Sequence, residues 1–422
     1  MRESFLHYLW RTRRFDLREL QTTLQQPIQI LYPGEYNTDS GPDFFNARIN
    51  IDGTLWAGNV EMHIMSSEWM AHNHQHDPAY GSVILHVVFQ EDLPVFRPDG
   101  SRIPCLTLKG RIPETLLGTY EQLESSSSWI PCEAAFSTAP EIIKQQWLDR
   151  LLIERLEEKT KWISHTLQQC GNHWEEAFYQ SLARCFGLKI NTEPFEALSR
   201  CLPLRILARH RHQAHQVEAL VFGQAGLLEP NFKDEWPALL QREYRHLGHK
   251  YGLAPLKSEQ WKFFRLRPSG FPTVRLAQFA AYLVQSEHAL AKVLEAGSLY
   301  EMKQIFQVTP SEYWQNHYQF DIVSAPLSKS LNTAFIDILL VNGVAPFLFH
   351  YGKQKGLDRP QQQAFALLEN LKVEKNKVID GWKSLGCQPS NAYQSQALIQ
   401  LKTRYCNARR CLECAIGNAI LK

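Results

Sequence analysis

No run of uncharged apolar residues in this chain approaches the ~18 that a membrane-spanning helix needs. The most apolar stretch, residues 335–349, is interrupted by Asp337, Asn342, Gly343 and Pro346, so no membrane partner is expected. Residues 1–10 lack a continuous apolar segment and a small-residue cleavage site, which argues against a secretory leader. A charge excess is missing as well. Forty-five Lys and Arg against 43 Asp and Glu leave a net charge of +2, so any contact with DNA has to come from a local patch. Nor do the cysteines read as a disulfide framework: nine of them, an odd number, are scattered from Cys105 to Cys414. That usage suits reduced thiols in a cytoplasm, the expected location.

What is present is a globular composition, 44% hydrophobic and 21% charged, over 422 residues. Such a length is ample for a sizeable core and for two or three domains. The most informative stretch runs from Gly41-Pro42-Asp43-Phe44 to Asn59-Val60-Glu61-Met62-His63. Asp52-Gly53 lies between apolar runs, a strong hairpin signal because both turn positions need positive φ. Ala47, Ile49 and Ile51 alternate on one strand, and Val60, Met62 and Ile64 on the next. Glu61 and His63 therefore share the opposite face. Pairing of these strands would bring Asp43 toward Glu61. Two carboxylates with an imidazole two residues from one of them form a hard-cation site for Mg²⁺ or Mn²⁺.

This arrangement resembles the core of the PD-(D/E)XK nuclease superfamily. Pro42-Asp43 matches its first half and Glu61-Met62-His63 its second, with His63 where lysine is usual. Glu35 is placed as the additional upstream acid. The resemblance implies catalytic roles for Asp43, Glu61 and His63 and metal contacts from Glu35, Asp43 and Glu61. His63 itself reads as a base, a metal ligand, or neither.

Along the chain, residues 4–25 are expected to be helical, and Ser66 or Ser67 to cap a short turn. Residues 81–89 read as a central strand containing His86, a satisfied core histidine. His72, His74 and His76, with Asp77 after them, have ligand-capable spacing for Zn²⁺ or Mn²⁺, and the reading preferred over it is a solvated loop with one or two of the histidines lining a groove. The expected fold class is α+β, with a small mixed-sheet domain over 1–120, a linker over 121–139, and a larger all-α domain over 140–422 ending in a cysteine-rich tail.

Two basic segments in the helical region are candidate nucleic-acid contacts: Arg209 and Arg211 on one helix, Arg265 and Arg267 in an aromatic loop. Cys406, Cys411 and Cys414 fall within nine residues of the tail and suit Zn²⁺ or an iron–sulfur cluster, with Cys387 or a histidine as the fourth ligand. The segments at 41–44, 59–63, 217–228, 266–278 and 391–417 together resemble an uncharacterised family of cytoplasmic bacterial proteins, grouped as a domain of unknown function. Three functional readings follow. One is a metal-dependent nuclease or nuclease-fold DNA-processing protein. Another is a non-catalytic scaffold that binds nucleic acid or protein. The last is a small-molecule hydrolase built on His72, His74 and His76.

Overall fold

The computed structural model describes residues 1–421 and contains two compact units. One comprises Met1–Trp147 together with the segment from Lys402 onward; the other is Leu148–Leu401. The compact units thus divide the chain elsewhere than at 121–139. The cysteine tail belongs with the N-terminal unit, and the expected linker carries a helix end and the 3-10 turn Glu133–Thr138. The architecture is α+β: a mixed six-stranded sheet region followed by a largely helical one.

In the first unit, α1 (Glu3–Thr12) precedes β1 (Ile28–Tyr32), β2 (Glu35–Tyr36), β3 (Phe44–Ile51) and β4 (Thr54–Met65). A single helical turn, α2 (Glu68–Ala71), leads through the histidine loop to β5 (Val83–Gln90) and β6 (Cys105–Thr107). The strand order is β1-β3-β4-β5-β6, with β2 on β3. Pairs through β3 are antiparallel, whereas β4–β5 and β5–β6 are parallel. The hairpin forms as expected: Ile51 faces Thr54, and Asp52 (φ 51°) and Gly53 (φ 79°) both adopt positive φ. β5 is buried over its first six residues, as befits a strand with parallel neighbours on both sides.

The expected helix over 4–25 stops at Thr12. Arg13 turns left-handed (φ 54°), and the N–H groups of Arg13 and Arg14 bond back to the carbonyls of Trp10 and Leu9. Of the leucines at 17, 20 and 24, which fall at helical spacing beyond that end, Leu17 and Leu24 are exposed and only Leu20 is buried. Ser67 does not cap α2 through its side chain. Instead Asp92 Oδ1 accepts from the Ser66 hydroxyl and the Ser67 N–H, both at 2.9 Å.

The second unit packs its helices around aromatic side chains, with Phe186 at 5.0 Å from Phe279 and 5.5 Å from Phe335. Thr333–Lys355 is a continuous 23-residue helical stretch, long and apolar enough by length and composition to cross a membrane, and 72% of its apolar window is buried in the structure. Pro346 does not break it, because the wide turn Leu340–Val344 just before it accommodates the missing N–H and the ring. Only a two-stranded hairpin, His317–Gln319 with Ile322–Val323, interrupts the helices among the described residues.

Candidate metal centre

β3 and β4 bring Asp43 and Glu61 together by reciprocal backbone bonds. The Asp43 N–H donates to Glu61 Oε2 at 3.1 Å, and the Met62 N–H donates to Asp43 Oδ2 at 2.9 Å. The register of β3 shifts between Phe44 and Ala47, where Asn46 has a φ of 58° and its N–H bonds Asn59 Oδ1. A bulge of this kind re-aims the side chains beside it, here next to Asp43. The other oxygen of Glu61 faces imidazoles, 3.3 Å from His74 Nε2 and 3.7 Å from His63 Nε2.

His63 anchors the imidazole group. Its Nδ1 lies 2.8 Å from His86 Nε2 and its Nε2 lies 3.2 Å from His72 Nδ1. His63, His72 and His74 each offer a ligand atom within 4.8 Å of the others. The loop geometry makes this possible: α2 ends at Ala71 with His72 as its cap, and Asn73, left-handed at φ 61°, turns the chain so that His74 comes back toward the sheet. Trp69 and Tyr80 wall the group, with the Tyr80 ring stacked on His74 at 3.8 Å. His76 is exposed and lies outside it.

A second set adjoins Asp43. Glu3 and His7, one helical turn apart on α1, place ligand atoms within 4.8 Å of an Asp43 oxygen and of each other. His7 Nε2 is 3.2 Å from Asp43 Oδ2. The upstream acid that joins the site is therefore Glu3. Glu35 is exposed in β2, opposite Phe45.

Burial sets the electrostatics. Glu61 is 5% exposed and His63 1%, although the alternation of β4 put both on the polar face. Desolvation, then the neighbouring Asp43 charge, push Glu61 up to about 9, against the opposing pull of the Asp43 N–H. Desolvation, then the surrounding imidazoles led by His86, push His63 down to about 2. His86 is driven to about 3, chiefly by burial and then by His74, and its Nδ1 has no partner. A buried carboxyl that resists ionising and imidazoles that resist protonation lack a common positive partner. Mixed carboxylate and neutral imidazole donors match a divalent cation. The His63–His86 contact is the outer-shell kind that fixes a ligand's tautomer.

The remaining candidates are dispersed. Arg209 and Arg211 belong to the second unit; Arg209 is exposed and Arg211 pairs with Glu287 at 3.4 Å. Arg265 and Arg267 are exposed in a loop of that unit, next to Phe264, itself 80% exposed. Trp261 in the same loop is a core anchor, donating to the Ala225 carbonyl. Cys406, Cys411 and Cys414 lie in the first unit and Cys387 in the second.

The alternating histidines were visible in the sequence as a ligand pattern. His7 and Glu3 were missed, and the only trace of them is an acid and a histidine four residues apart in the first helix. A family model described as a protein of unknown function (DUF2851) matches residues 3–377, and the chain belongs to that family. No curated protein and no solved structure matches the chain. None of these comparisons links it to a nuclease.

Proposed function

We propose that the first unit is a divalent-metal-dependent phosphodiester hydrolase, a nuclease acting on DNA, with Asp43, Glu61, His63, His72 and His74 holding the cation. One observation carries the reading: Asp43 and Glu61 are locked side by side by each other's strands, and the free oxygen of Glu61 faces two of three clustered imidazoles. When bound, the cation supplies polarisation of a phosphoryl oxygen and activation of water. Three imidazoles with carboxylates suit Mn²⁺ or Zn²⁺ better than Mg²⁺, so Mn²⁺ is the better of the two cations expected from the sequence. His63 is buried and stays neutral across the working pH range, which fits a ligand and not a proton shuttle. The less buried His7, against Asp43, is the better placed proton acceptor. Within the second unit, the exposed Phe264, Arg265 and Arg267 form a separate candidate surface for base stacking and phosphate contacts.

The test is cleavage of labelled single- and double-stranded DNA and of RNA in Mn²⁺, comparing wild type with Asp43→Ala and His72→Ala. Cleavage by wild type that both variants lose is the expected result; equal turnover by all three removes the proposal. One observation favours a non-catalytic scaffold instead. Among the described residues, no lysine or arginine pairs with Asp43 or Glu61, so no side-chain cation stands beside the carboxylates. Stoichiometric Mn²⁺ binding without turnover of any nucleic acid selects that reading.

A further inference from the structure

A small pocket of about 170 Å³ adjoins the metal centre within the first unit. Trp69, His74 and Tyr80, already met around the imidazole group, also line this second space. One wall is the histidine loop, and the other is the turn that carries Phe96 and Arg97. Each wall is tied down by its own chain. Asp77 Oδ1 accepts the Ala79 N–H at 2.9 Å and so starts the 3-10 turn Pro78–Ser82. On the opposite side the Ile103 N–H donates to the Val95 carbonyl at 2.9 Å, and Arg97 Nη2 donates to the Val83 carbonyl of β5, also at 2.9 Å. Trp69, Val83, Val95 and Ile103 form one buried apolar cluster beneath. The pocket is therefore formed before anything enters it, which lowers the entropy lost on binding.

Its lining selects a flat, polar-edged ring. Trp69, Tyr80 and Phe96 give it aromatic walls, and Phe96 is half-exposed although nothing polar in its side chain favours water. Two polar atoms of lining residues are buried with no hydrogen-bond partner: the indole Nε1 of Trp69, a donor, and Oε1 of Gln75, an acceptor. Trp69 is only 2% exposed, so water does not reach it from outside. Orphaned buried groups of this kind are costly, and a ligand that pairs both recovers the loss. The size is decisive as well. Pockets for drug-sized molecules run to roughly 300–1,000 Å³, so this one has room for a single ring system and not for a whole nucleotide.

Position links the pocket to the chemistry. His74 belongs to both: it lines the pocket, and its Nε2 stands 3.3 Å from Glu61 Oε1. A base and its phosphate are separated by one sugar ring, so a base held against His74 leaves its phosphate beside the carboxylates. Every base edge offers at least one donor and one acceptor, the complement of Gln75 Oε1 and Trp69 Nε1. We infer that this pocket takes one unpaired nucleobase of a DNA strand, stacked on its aromatic walls. The inference rests on the nuclease reading and adds the substrate class, single-stranded DNA. A base inside a duplex has both faces covered and its edge already paired, and extruding it carries an unstacking cost that a single strand avoids. Stacking on rings is tolerant of sequence, so no strong preference among the four bases is expected.

The experiment measures binding of fluorescently labelled strands to the full chain by anisotropy, in chelator so that no strand is cut. Three probes of equal length are compared: a thymidine oligonucleotide, a wholly abasic strand with the same phosphates, and a duplex. Wild type should bind the thymidine strand roughly tenfold or more tighter than either of the others. Phe96→Ala, confirmed as folded by circular dichroism, should lose most of that preference. The abasic probe on wild type tests the inference even where a variant fails to fold. Equal affinity for the three probes, or binding of none, overturns it. Cleavage in Mn²⁺ separates this inference from the reading beneath it. Strands cut without any preference for unpaired bases leave the nuclease standing and remove the base pocket. The preference without cutting keeps the pocket and removes the nuclease.

Discussion

The two units treat buried charge in opposite ways. In the helical unit Glu218 is buried, yet the indole N–H groups of Trp236 and Trp314 donate to it at 3.0 and 2.7 Å. Lys159 is met similarly by the Val341 carbonyl, Asn342 Oδ1 and Gln396 Oε1, even as burial lowers it to about 7. Glu218 has neutral dipoles arranged around it, and Lys159 has amide and carbonyl oxygens together with the charges of Arg155 and Glu374, the arrangement of structural groups. In the sheet unit Glu61 is buried against another carboxylate and two imidazoles that burial keeps neutral. That arrangement is costly unless something positive arrives. The lesson is that burial alone does not mark a functional site; the identity of the neighbours does.

Substitutions in the sheet unit should separate activity from stability, and those in the helical unit should do the reverse. The largest effect is expected from Asp43→Ala, which should lower Mn²⁺-dependent cleavage by roughly a hundredfold or more without loss of folded protein by circular dichroism. His86→Phe should weaken Mn²⁺ binding about 10–100-fold in calorimetry, because it removes the partner that orients His63. Unchanged affinity would show that His86 is only core. In the helical unit, Trp314→Phe removes a donor to Glu218 and should cost about 1–3 kcal/mol in denaturant unfolding while leaving cleavage intact. A loss of Mn²⁺ affinity there would break the contrast between the units.

The next effect is a pH dependence. Glu61, raised from 4.5 to about 9, contributes stability to the metal-free fold below pH 4.5 and loses it as pH rises through about 9. His63, lowered from 6.5 to about 2, contributes above 6.5 and loses it as pH falls toward 2. Cation binding must displace the Glu61 proton, so Mn²⁺ affinity should climb by up to roughly tenfold per pH unit toward pH 9. A flat profile between pH 6 and 8.5 would remove Glu61 from the ligand set. The smallest effect is expected at Glu35→Gln, which should change neither cleavage nor Mn²⁺ affinity, since Glu35 is exposed in β2.

Local sequence determined the parts of the molecule that local chemistry controls. Asp52-Gly53 dictated the hairpin through its positive φ values, the alternation of Ala47, Ile49 and Ile51 set the buried face of β3, and the apolar run at 83–88 set the central strand. Asp43 and Glu61 were legible as neighbours because a hairpin register relates them directly. Only the tertiary structure decided the rest. Strand alternation says which face Glu61 and His63 share, but burying that face took α1 and the histidine loop, brought in from 3–12 and 68–80. It likewise took folding to bring Glu3 rather than Glu35 to Asp43, and to end the first helix at Thr12. Periodicity reports what a segment can bury, whereas long-range packing chooses which polar atoms meet.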